Sequence, residues 1–245
     1  NPLKRALYRR EARALARYEG RAYAHFDHVV CVTDEDRRVL QQTMAGENHT
    51  QLTTIPICVD PANKPMIDRT ERPGLVTHLG TMFWPPNAEG VMWFAQQVFP
   101  RVLARLPETR FVVIGKHPPQ AVQALPMQVR QVQVAGFVPD PTPYLAQTAV
   151  FIVPLRAGGG MRVKILDAWC WGMPVVSTPL GAEGVEMQPD ENILLAATAE
   201  DFGRAVVRVL QEPALGRRLR ENGRRWVERR YDWQQVYAQW DALYE

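Results

Sequence analysis

Cysteine is scarce in this chain of 245 residues: three are present, and no two of them form a Cys-x-x-Cys pair. Cys31, Cys58 and Cys170 are too few and too widely spaced for a disulfide framework, so we expect reduced thiols in a cytoplasmic protein. No cluster of His, Cys, Asp and Glu has the spacing of metal ligands. The sequence therefore predicts no protein-bound metal and no separate cofactor.

Long apolar runs are also absent. A helix that crosses a bilayer needs about 20 predominantly apolar residues, and no stretch of the chain approaches that length. The first residues lack the basic segment and apolar core of a signal peptide. Because the chain begins at Asn1 rather than Met, we expect that sequence preceding it is missing.

A strong excess of one charge is missing as well, because 29 lysines and arginines face 26 aspartates and glutamates. Basic residues cluster near the two ends, and acidic residues predominate elsewhere, so the chain does not have the charge pattern of a nucleic-acid-binding protein. Solvated helix faces explain the two clusters best, and a peripheral contact with the anionic inner face of a membrane is the alternative. The clusters are Lys4, Arg5, Arg9, Arg10, Arg13, Arg17 and Arg21, and Arg217, Arg218, Arg220, Arg224, Arg225, Arg229 and Arg230.

What the chain does contain, from Leu75 onward, is a regular alternation of short apolar runs and helical patterns. Such an alternation predicts βαβ units and an α/β fold with a Rossmann-like, doubly wound parallel sheet. The ligand of such a sheet binds beyond the carboxyl ends of the strands, where several glycines of this chain fall. The predicted strands are 75–79, 110–114, 132–135, 149–154, 174–177 and 193–196.

The first 60 residues follow a different pattern. A long basic helix, a single strand over 28–33 and a short helix capped by Thr33 cannot bury their own apolar faces. We therefore interpret 1–60 as the closing helix-strand-helix segment of another, N-terminal domain, and the proline-rich 61–73 as a linker. The main domain is predicted at 74–230, and the aromatic helix 231–245 is expected to pack back toward the N-terminal domain.

The most informative segment is 154–184, which reads PLRAGGGMRVKILDAWCWGMPVVSTPLGAEG. Three consecutive glycines follow a predicted strand and precede a helix that carries Arg162 and Lys164. Glycines let backbone N–H groups approach an anion closely, and the helix adds unpaired amides and the positive end of its dipole. The predicted phosphate-binding glycines are Gly158, Gly159 and Gly160.

Helical spacing places Gly160, Lys164 and Asp167 on one face of this helix, at i, i+4 and i+7. A cation near phosphates and a carboxylate about one nucleoside length away match a sugar nucleotide. The alternatives are a flexible surface loop, a solvated lysine, and a local ion pair between Lys164 and Asp167. Arg162 either belongs to the anion site or closes a surface salt bridge.

Four segments of the sequence resemble one known family: HLGTMFWPPNAEGVMWF, RFVVIGKHP, VQVAGFVPD and the glycine-rich segment 154–184. The family is the retaining nucleotide-sugar glycosyltransferases, named glycosyl transferases group 1 or family 4, which have a two-domain GT-B fold. The resemblance implies a C-terminal donor-binding domain together with a remnant of an N-terminal acceptor domain.

The resemblance also implies roles for individual residues, with Lys164 and Asp167 as the catalytic pair. Lys164 corresponds to the lysine that binds phosphate, and Asp167 stands where the family has a glutamate that accepts hydrogen bonds from ribose. Gly159 replaces a second glutamate on the donor-sugar side, which leaves sugar recognition open. The other donor-binding residues implied are Gly80 and Thr81 in a phosphate loop, Val138 under the nucleobase, Gly158, Gly160, Met161 and Arg162 around the glycines, and Gly181 beside the diphosphate and sugar.

The function implied is transfer of a sugar from a UDP, GDP or ADP sugar to a hydroxyl of a carbohydrate or lipid-linked acceptor. Without the missing N-terminal domain, the chain is expected to be inactive on its own. Two alternatives stay open at this point: a non-catalytic nucleotide-sugar-binding module and an NAD-binding Rossmann enzyme. The second is disfavoured, because HLGTM rather than Gly-x-Gly-x-x-Gly follows the first main strand.

Overall fold

The computed structural model describes residues 2–44, 49–70 and 74–244. These residues form two compact units, one comprising Asn1–Ile57 with Val236–Glu245 and the other Cys58–Gln235. The stretch 58–70 thus groups with the second unit, whereas the sequence predicted a separate linker over 61–73. Backbone hydrogen bonds explain this grouping, since the amide of Ile67 donates to the carbonyl of Trp171 and that of Thr70 donates to Ala146.

The first unit contains helix α1 (Pro2–Tyr23), strand β1 (His28–Cys31), helix α2 (Asp34–Thr43) and strand β2 (Gln51–Thr54). β1 and β2 pair in parallel, with His28 opposite Gln51. The prediction of a single strand here was therefore wrong, because β2 has four residues and too few apolar ones to produce a recognisable run. The predicted cap of α2 is confirmed, since the Thr33 side chain accepts a hydrogen bond of 3.0 Å from the amide of Asp36.

The second unit is built on a six-stranded parallel sheet. Its strands are β3 (Leu75–Leu79), β4 (Arg110–Ile114), β5 (Val132–Gly136), β6 (Thr148–Val153), β7 (Val175–Ser177) and β8 (Leu194–Leu195). The α/β fold and the parallel sheet that the sequence predicts are confirmed, and the predicted runs 75–79 and 110–114 coincide with β3 and β4.

Helices connect these strands and follow the last of them. They are α3 (Pro85–Trp93), α4 (Phe99–Leu103), α5 (Gln120–Gln123), α6 (Leu125–Gln128), α7 (Thr142–Leu145), α8 (Val163–Cys170), α9 (Ala199–Gln211), α10 (Pro213–Arg230) and α11 (Trp233–Tyr244). A π-helical turn, Phe94–Val98, lies between α3 and α4. Pro100 is a local cause of this turn, because proline has no N–H to donate and its ring crowds the preceding turn. The helix widens there, and the Phe99 amide donates to the carbonyl of Phe94, five residues back.

Both faces of the sheet are buried, as β6 shows. Val150 and Ile152 pack into the core formed with α3, α4 and α9, and the alternating Phe151 and Val153 pack into the core formed with α8 and α10. A strand covered on both sides reads as a continuous apolar run, because successive side chains enter opposite cores. The apolar runs in the sequence therefore located this sheet well.

The strand order is β5-β4-β3-β6-β7-β8, so the sheet grows in one direction from β3 and in the opposite direction from β6. In doubly wound sheets the ligand lies outside the carboxyl ends of the strands where this direction changes. The loop after β3 contains Gly80, and the loop after β6 contains the three glycines. The two segments singled out by the sequence thus leave the two strands at the switch point.

Candidate functional site

The loop after β3 approaches its neighbour closely. The amide of Gly80 donates to the carbonyl of Ile114 (2.9 Å), and a Cβ placed on Gly115 would lie 1.8 Å from the Gly80 oxygen. Any side chain at Gly115 would therefore push this loop away from the sheet. Thr81 is the exposed residue that follows Gly80 in the loop.

Lys164 extends its ammonium from α8 onto this loop. A Cβ on Gly80 would lie 2.6 Å from Lys164 Nζ, so the absence of a side chain at Gly80 makes room for the cation. The ammonium donates to Asn87 Oδ1 (2.7 Å), and Asn87 Nδ2 in turn donates to the Thr81 carbonyl (2.8 Å). The structure thus brings the predicted Gly80, Thr81 and Lys164 together, and Asn87, which the sequence did not indicate, links them.

The environment of Lys164 favours its neutral form. Burial, and secondarily the charge of Arg162, lower the pKa of Lys164 from its ordinary 10.5 to about 7. Among the described residues, the hydrogen-bond partner of this ammonium is the neutral amide of Asn87. An anion beside Gly80 would supply a counter-charge to this ammonium and would favour its protonated form.

The three glycines form a loop ahead of α8. Gly158 and Gly160 have φ values of 100° and 84°, which glycine adopts without strain. α8 begins at Val163, so Gly160 precedes the helix, and the prediction that it shares a helical face with Lys164 and Asp167 was wrong. The loop lies against Trp84, whose ring would be 2.9 Å from a Cβ on Gly158.

Arg162 lies at the position before the first turn of α8 and is buried, with 6% of its side chain exposed. Its Nη1 donates to the Gly159 carbonyl (2.8 Å), and its guanidinium lies 5.5 Å from the centre of the Trp84 ring. Glu183 is its acidic neighbour, at 3.8 Å from Nη2. The predicted alternative of a surface salt bridge was therefore wrong in its location, since this guanidinium is inside the protein.

Asp167 pairs with Lys64 and not, as one alternative held, with Lys164. The backbone that carries Lys64 is held in place by Arg224, whose guanidinium donates to the carbonyls of Lys64 (2.7 Å), Pro61 (2.9 Å) and Cys170 (2.7 Å). Lys64 is thus the second functional candidate that the sequence did not indicate. No local pattern could have found it, because its partner is 103 residues away in the sequence.

The remaining predicted residues lie apart from this cluster or face inward. Val138 is half-buried and packs against Leu75, Val112 and Ile114. Met161 is also half-buried and packs on the core under α8. Gly181 is buried in a 3-10 turn, and its amide already donates to the Thr178 hydroxyl (2.8 Å).

Two other kinds of feature, a metal cluster and a membrane-spanning helix, are absent from the described residues. Across 2–44, 49–70 and 74–244, no group of three or more His, Cys, Asp or Glu is arranged to hold a metal ion. Over the same residues, no helix combines the length and the apolar character that crossing a membrane requires.

Comparison with known sequences gives a family match. Residues 73–212 match the family model of the glycosyl transferases group 1. An uncharacterized 44.6 kDa protein in the cps region of Klebsiella pneumoniae is 23% identical over 170 residues, or 66% of this chain and 44% of that protein. A phosphatidyl-myo-inositol mannosyltransferase of Propionibacterium freudenreichii is 27% identical over 176 residues, or 69% of this chain and 43% of that protein. The chain thus spans less than half the length of these two relatives.

Comparison with solved structures gives the same fold. S. aureus TarM has a TM-score of 0.75 at 15% identity, covering 93% of this chain and 45% of TarM. The pneumococcal O-GlcNAc transferase GtfA, in complex with UDP and GlcNAc, has a TM-score of 0.70 at 16% identity, covering 92% of this chain and 46% of GtfA. At these identities the likeness establishes the fold, which this chain shares with GT-B glycosyltransferases.

Proposed function

Because the chain belongs to the glycosyl transferases group 1 family, we propose that it is the donor-binding part of a retaining glycosyltransferase. The donor is a nucleoside-diphosphate sugar, and the acceptor is a hydroxyl of a carbohydrate or lipid-linked molecule. Retention, the donor and the acceptor are parts of this proposal, since the chain spans less than half of its curated relatives. UDP is the first nucleotide to test, because the GtfA structure contains it.

One observation carries the proposal: the Lys164 ammonium rests on the side-chain-free Gly80 at the switch point of the sheet. A diphosphate at this place would accept a hydrogen bond from Nζ, and the backbone amides of the glycine loop would be further donors. As the sugar leaves, negative charge accumulates on the diphosphate, and a fixed cation stabilises that charge. Lys164 is therefore the proposed catalytic residue of this chain.

Asp167 is the proposed ribose acceptor. It lies one helical turn beyond Lys164 on α8, and a quarter of its side chain is exposed. Lys64 binds Oδ1, and Oδ2 accepts no hydrogen bond from any residue in the described part of the chain. One carboxylate oxygen is thus available for a ribose hydroxyl while the other is held.

The role of Asp167 predicts a loss confined to ligands that carry ribose hydroxyls. We expect Asp167→Ala to weaken binding of a nucleoside diphosphate by about 10-fold to 100-fold, the range for losing a hydrogen bond to a charged acceptor. Binding of the 2′,3′-dideoxy form of the same nucleotide should be unchanged. Calorimetry of the unaltered protein and of Asp167→Ala, each with the normal and with the dideoxy nucleotide, measures how much of the loss depends on the ribose hydroxyls. An equal loss for both nucleotides would place Asp167 outside the ribose contact.

The alternatives differ from the proposal in what they bind. An NAD-binding Rossmann enzyme would bind the dinucleotide, and a non-catalytic module would bind nucleotide sugars without turnover in the intact protein. Calorimetry of the chain with UDP, GDP, ADP and NAD tests the proposal directly. We expect one of the nucleoside diphosphates to bind and NAD to show no binding. Binding of NAD alone would overturn the proposal.

A further inference from the structure

Buried charged atoms that make no hydrogen bond within the described residues are concentrated in one place beside the three glycines. Arg162 exposes 6% of its side chain, yet its Nε and Nη2 make no hydrogen bond within the described residues. Oε2 of Glu183 is also buried and also lacks a hydrogen-bond partner there. Buried charged groups without hydrogen bonds are costly, so three such atoms together indicate that a ligand group belongs beside them.

Arg162 and Glu183 do not satisfy each other with a hydrogen bond. Arg162 Nη2 and Glu183 Oε2 are 3.8 Å apart, whereas a charge-assisted hydrogen bond between them would measure about 2.7–2.9 Å. A Cβ built on Gly159 meets no atom within 4 Å, so the loop next to the pair borders open space. Arg162 thus links the Gly159 carbonyl on one side to the Glu183 carboxylate on the other.

The position of the guanidinium is fixed by its other contacts. Nη1 is bound to the Gly159 carbonyl, and the Trp84 ring lies 5.5 Å from the guanidinium carbon. Two of the three nitrogens consequently remain for a ligand. Because Arg162 is held by the Gly159 carbonyl and by the Trp84 ring, its guanidinium is positioned before a ligand binds.

The chemistry of the pair selects hydroxyl groups. A hydroxyl can accept a hydrogen bond from Arg162 and at the same time donate one to Glu183. A phosphate oxygen can satisfy the guanidinium, but it has no proton to donate and its charge repels the carboxylate. A sugar with adjacent hydroxyls satisfies both partners.

We infer that Glu183, held next to Arg162, is the residue of this chain that recognises the hydroxyls of the donor sugar. This inference rests on the proposed function, because it assigns the sugar end of the same donor site. Arg162 bridges the two ends, with Nη2 toward the sugar and Nη1 fixed on the glycine loop. Glu183 thus determines which sugar is bound, and it does not contribute to binding of the nucleotide.

The test separates the sugar from the nucleotide. Calorimetry first identifies the ligand that the unaltered chain binds most tightly among UDP-glucose, UDP-galactose, UDP-GlcNAc, GDP-mannose and ADP-glucose. Glu183→Gln keeps the shape of the side chain and removes its charge. We expect it to weaken binding of that nucleotide sugar about tenfold or more, the scale of a hydrogen bond to a charged group, and to leave the matching free nucleoside diphosphate within about twofold.

A matched control is available in the same segment. Glu186 lies three residues further on, is exposed and pairs with Arg230 at 3.5 Å. Glu186→Gln should leave the affinity for both ligands unchanged. Thermal unfolding checks that each variant is folded, and Glu183→Asp, which retracts the carboxylate by one methylene, measures the same selective loss if Glu183→Gln does not fold.

Two results would overturn the inference while leaving the proposed function intact. Unchanged sugar-nucleotide affinity in a folded Glu183→Gln would mean that Glu183 does not contact the sugar. An equal loss for nucleotide and nucleotide sugar would mean that Glu183 acts on the diphosphate or on the fold. If the unaltered chain binds neither ligand, it is the proposed function itself that fails.

Discussion

Replacing Lys164 with methionine should abolish most of the affinity for a nucleoside diphosphate. The ammonium is the cation seated on Gly80, and methionine keeps a side chain of similar length without the charge. Removing one fixed donor from such a site costs about 100-fold to 1,000-fold in catalysis, and we expect a loss of at least about 100-fold in affinity. Calorimetry of the chain measures the affinity, and turnover of the intact protein measures the catalytic loss.

The same substitution should stabilise the ligand-free protein, which separates its effect on binding from a folding defect. Burial lowers the pKa of Lys164 to about 7, so the folded state holds this proton less tightly than the unfolded state does. At neutral pH that difference opposes folding by on the order of a few kcal/mol. Methionine removes this unfavourable contribution to the free energy of folding, although Asn87 Oδ1 loses its hydrogen-bond donor. A Lys164→Met protein with raised thermal stability and normal nucleotide affinity would contradict the assignment.

Donor binding should weaken as the pH rises above about 7. The ligand prefers the protonated lysine, whose pKa in the free protein is about 7, so above that pH binding must take up a proton. The dissociation constant should rise by up to about tenfold per pH unit until the pKa of the complex is reached, and it should be constant well below pH 7. A nucleotide sugar is the suitable ligand, because its diphosphate lacks the terminal phosphate proton that titrates near pH 6.

Calorimetry at pH 8 in buffers of different ionisation enthalpy measures this proton uptake. Close to one proton per bound ligand is expected. Lys164→Arg is the matched control, because a guanidinium stays charged and should give a flat profile between pH 7 and 9. His78 does not interfere, since burial and then the charge of Lys164 hold its pKa well below the ordinary 6.5. A flat profile for the unaltered chain would show that Lys164 does not titrate on binding.

The sequence located the elements of the sheet well because the causes of those elements are local. β4 is an apolar run whose length and composition define a buried parallel strand. The helix α9 follows the cap Thr198, whose side chain accepts from the Asp201 amide (3.1 Å), and α10 begins at Pro213, where a missing N–H costs nothing. The strand β2 lacked such a signal, because its four residues include too few apolar ones.

Part of the candidate site could be predicted from the sequence, for a related reason. Gly80, Lys164 and the three glycines could be placed together, because the carboxyl ends of parallel strands meet at one edge of a sheet. The partners of the charged residues could not be placed in this way. Asn87 reaches Lys164 across 77 residues of sequence, and Lys64 reaches Asp167 across 103. Such pairs depend on tertiary packing. Asp167 therefore pairs with the distant Lys64 and not with Lys164, its neighbour on α8.

A crystal structure of the chain with its tightest-binding nucleoside diphosphate tests the central claim most directly. We predict phosphate oxygens within about 2.7–2.9 Å of Lys164 Nζ, above Gly80, with the ribose next to Asp167. Lys164 would then contact the ligand in addition to, or in place of, Asn87. A nucleotide bound at any other part of the sheet, with Lys164 still held by Asn87 alone, would contradict the assignment of this site.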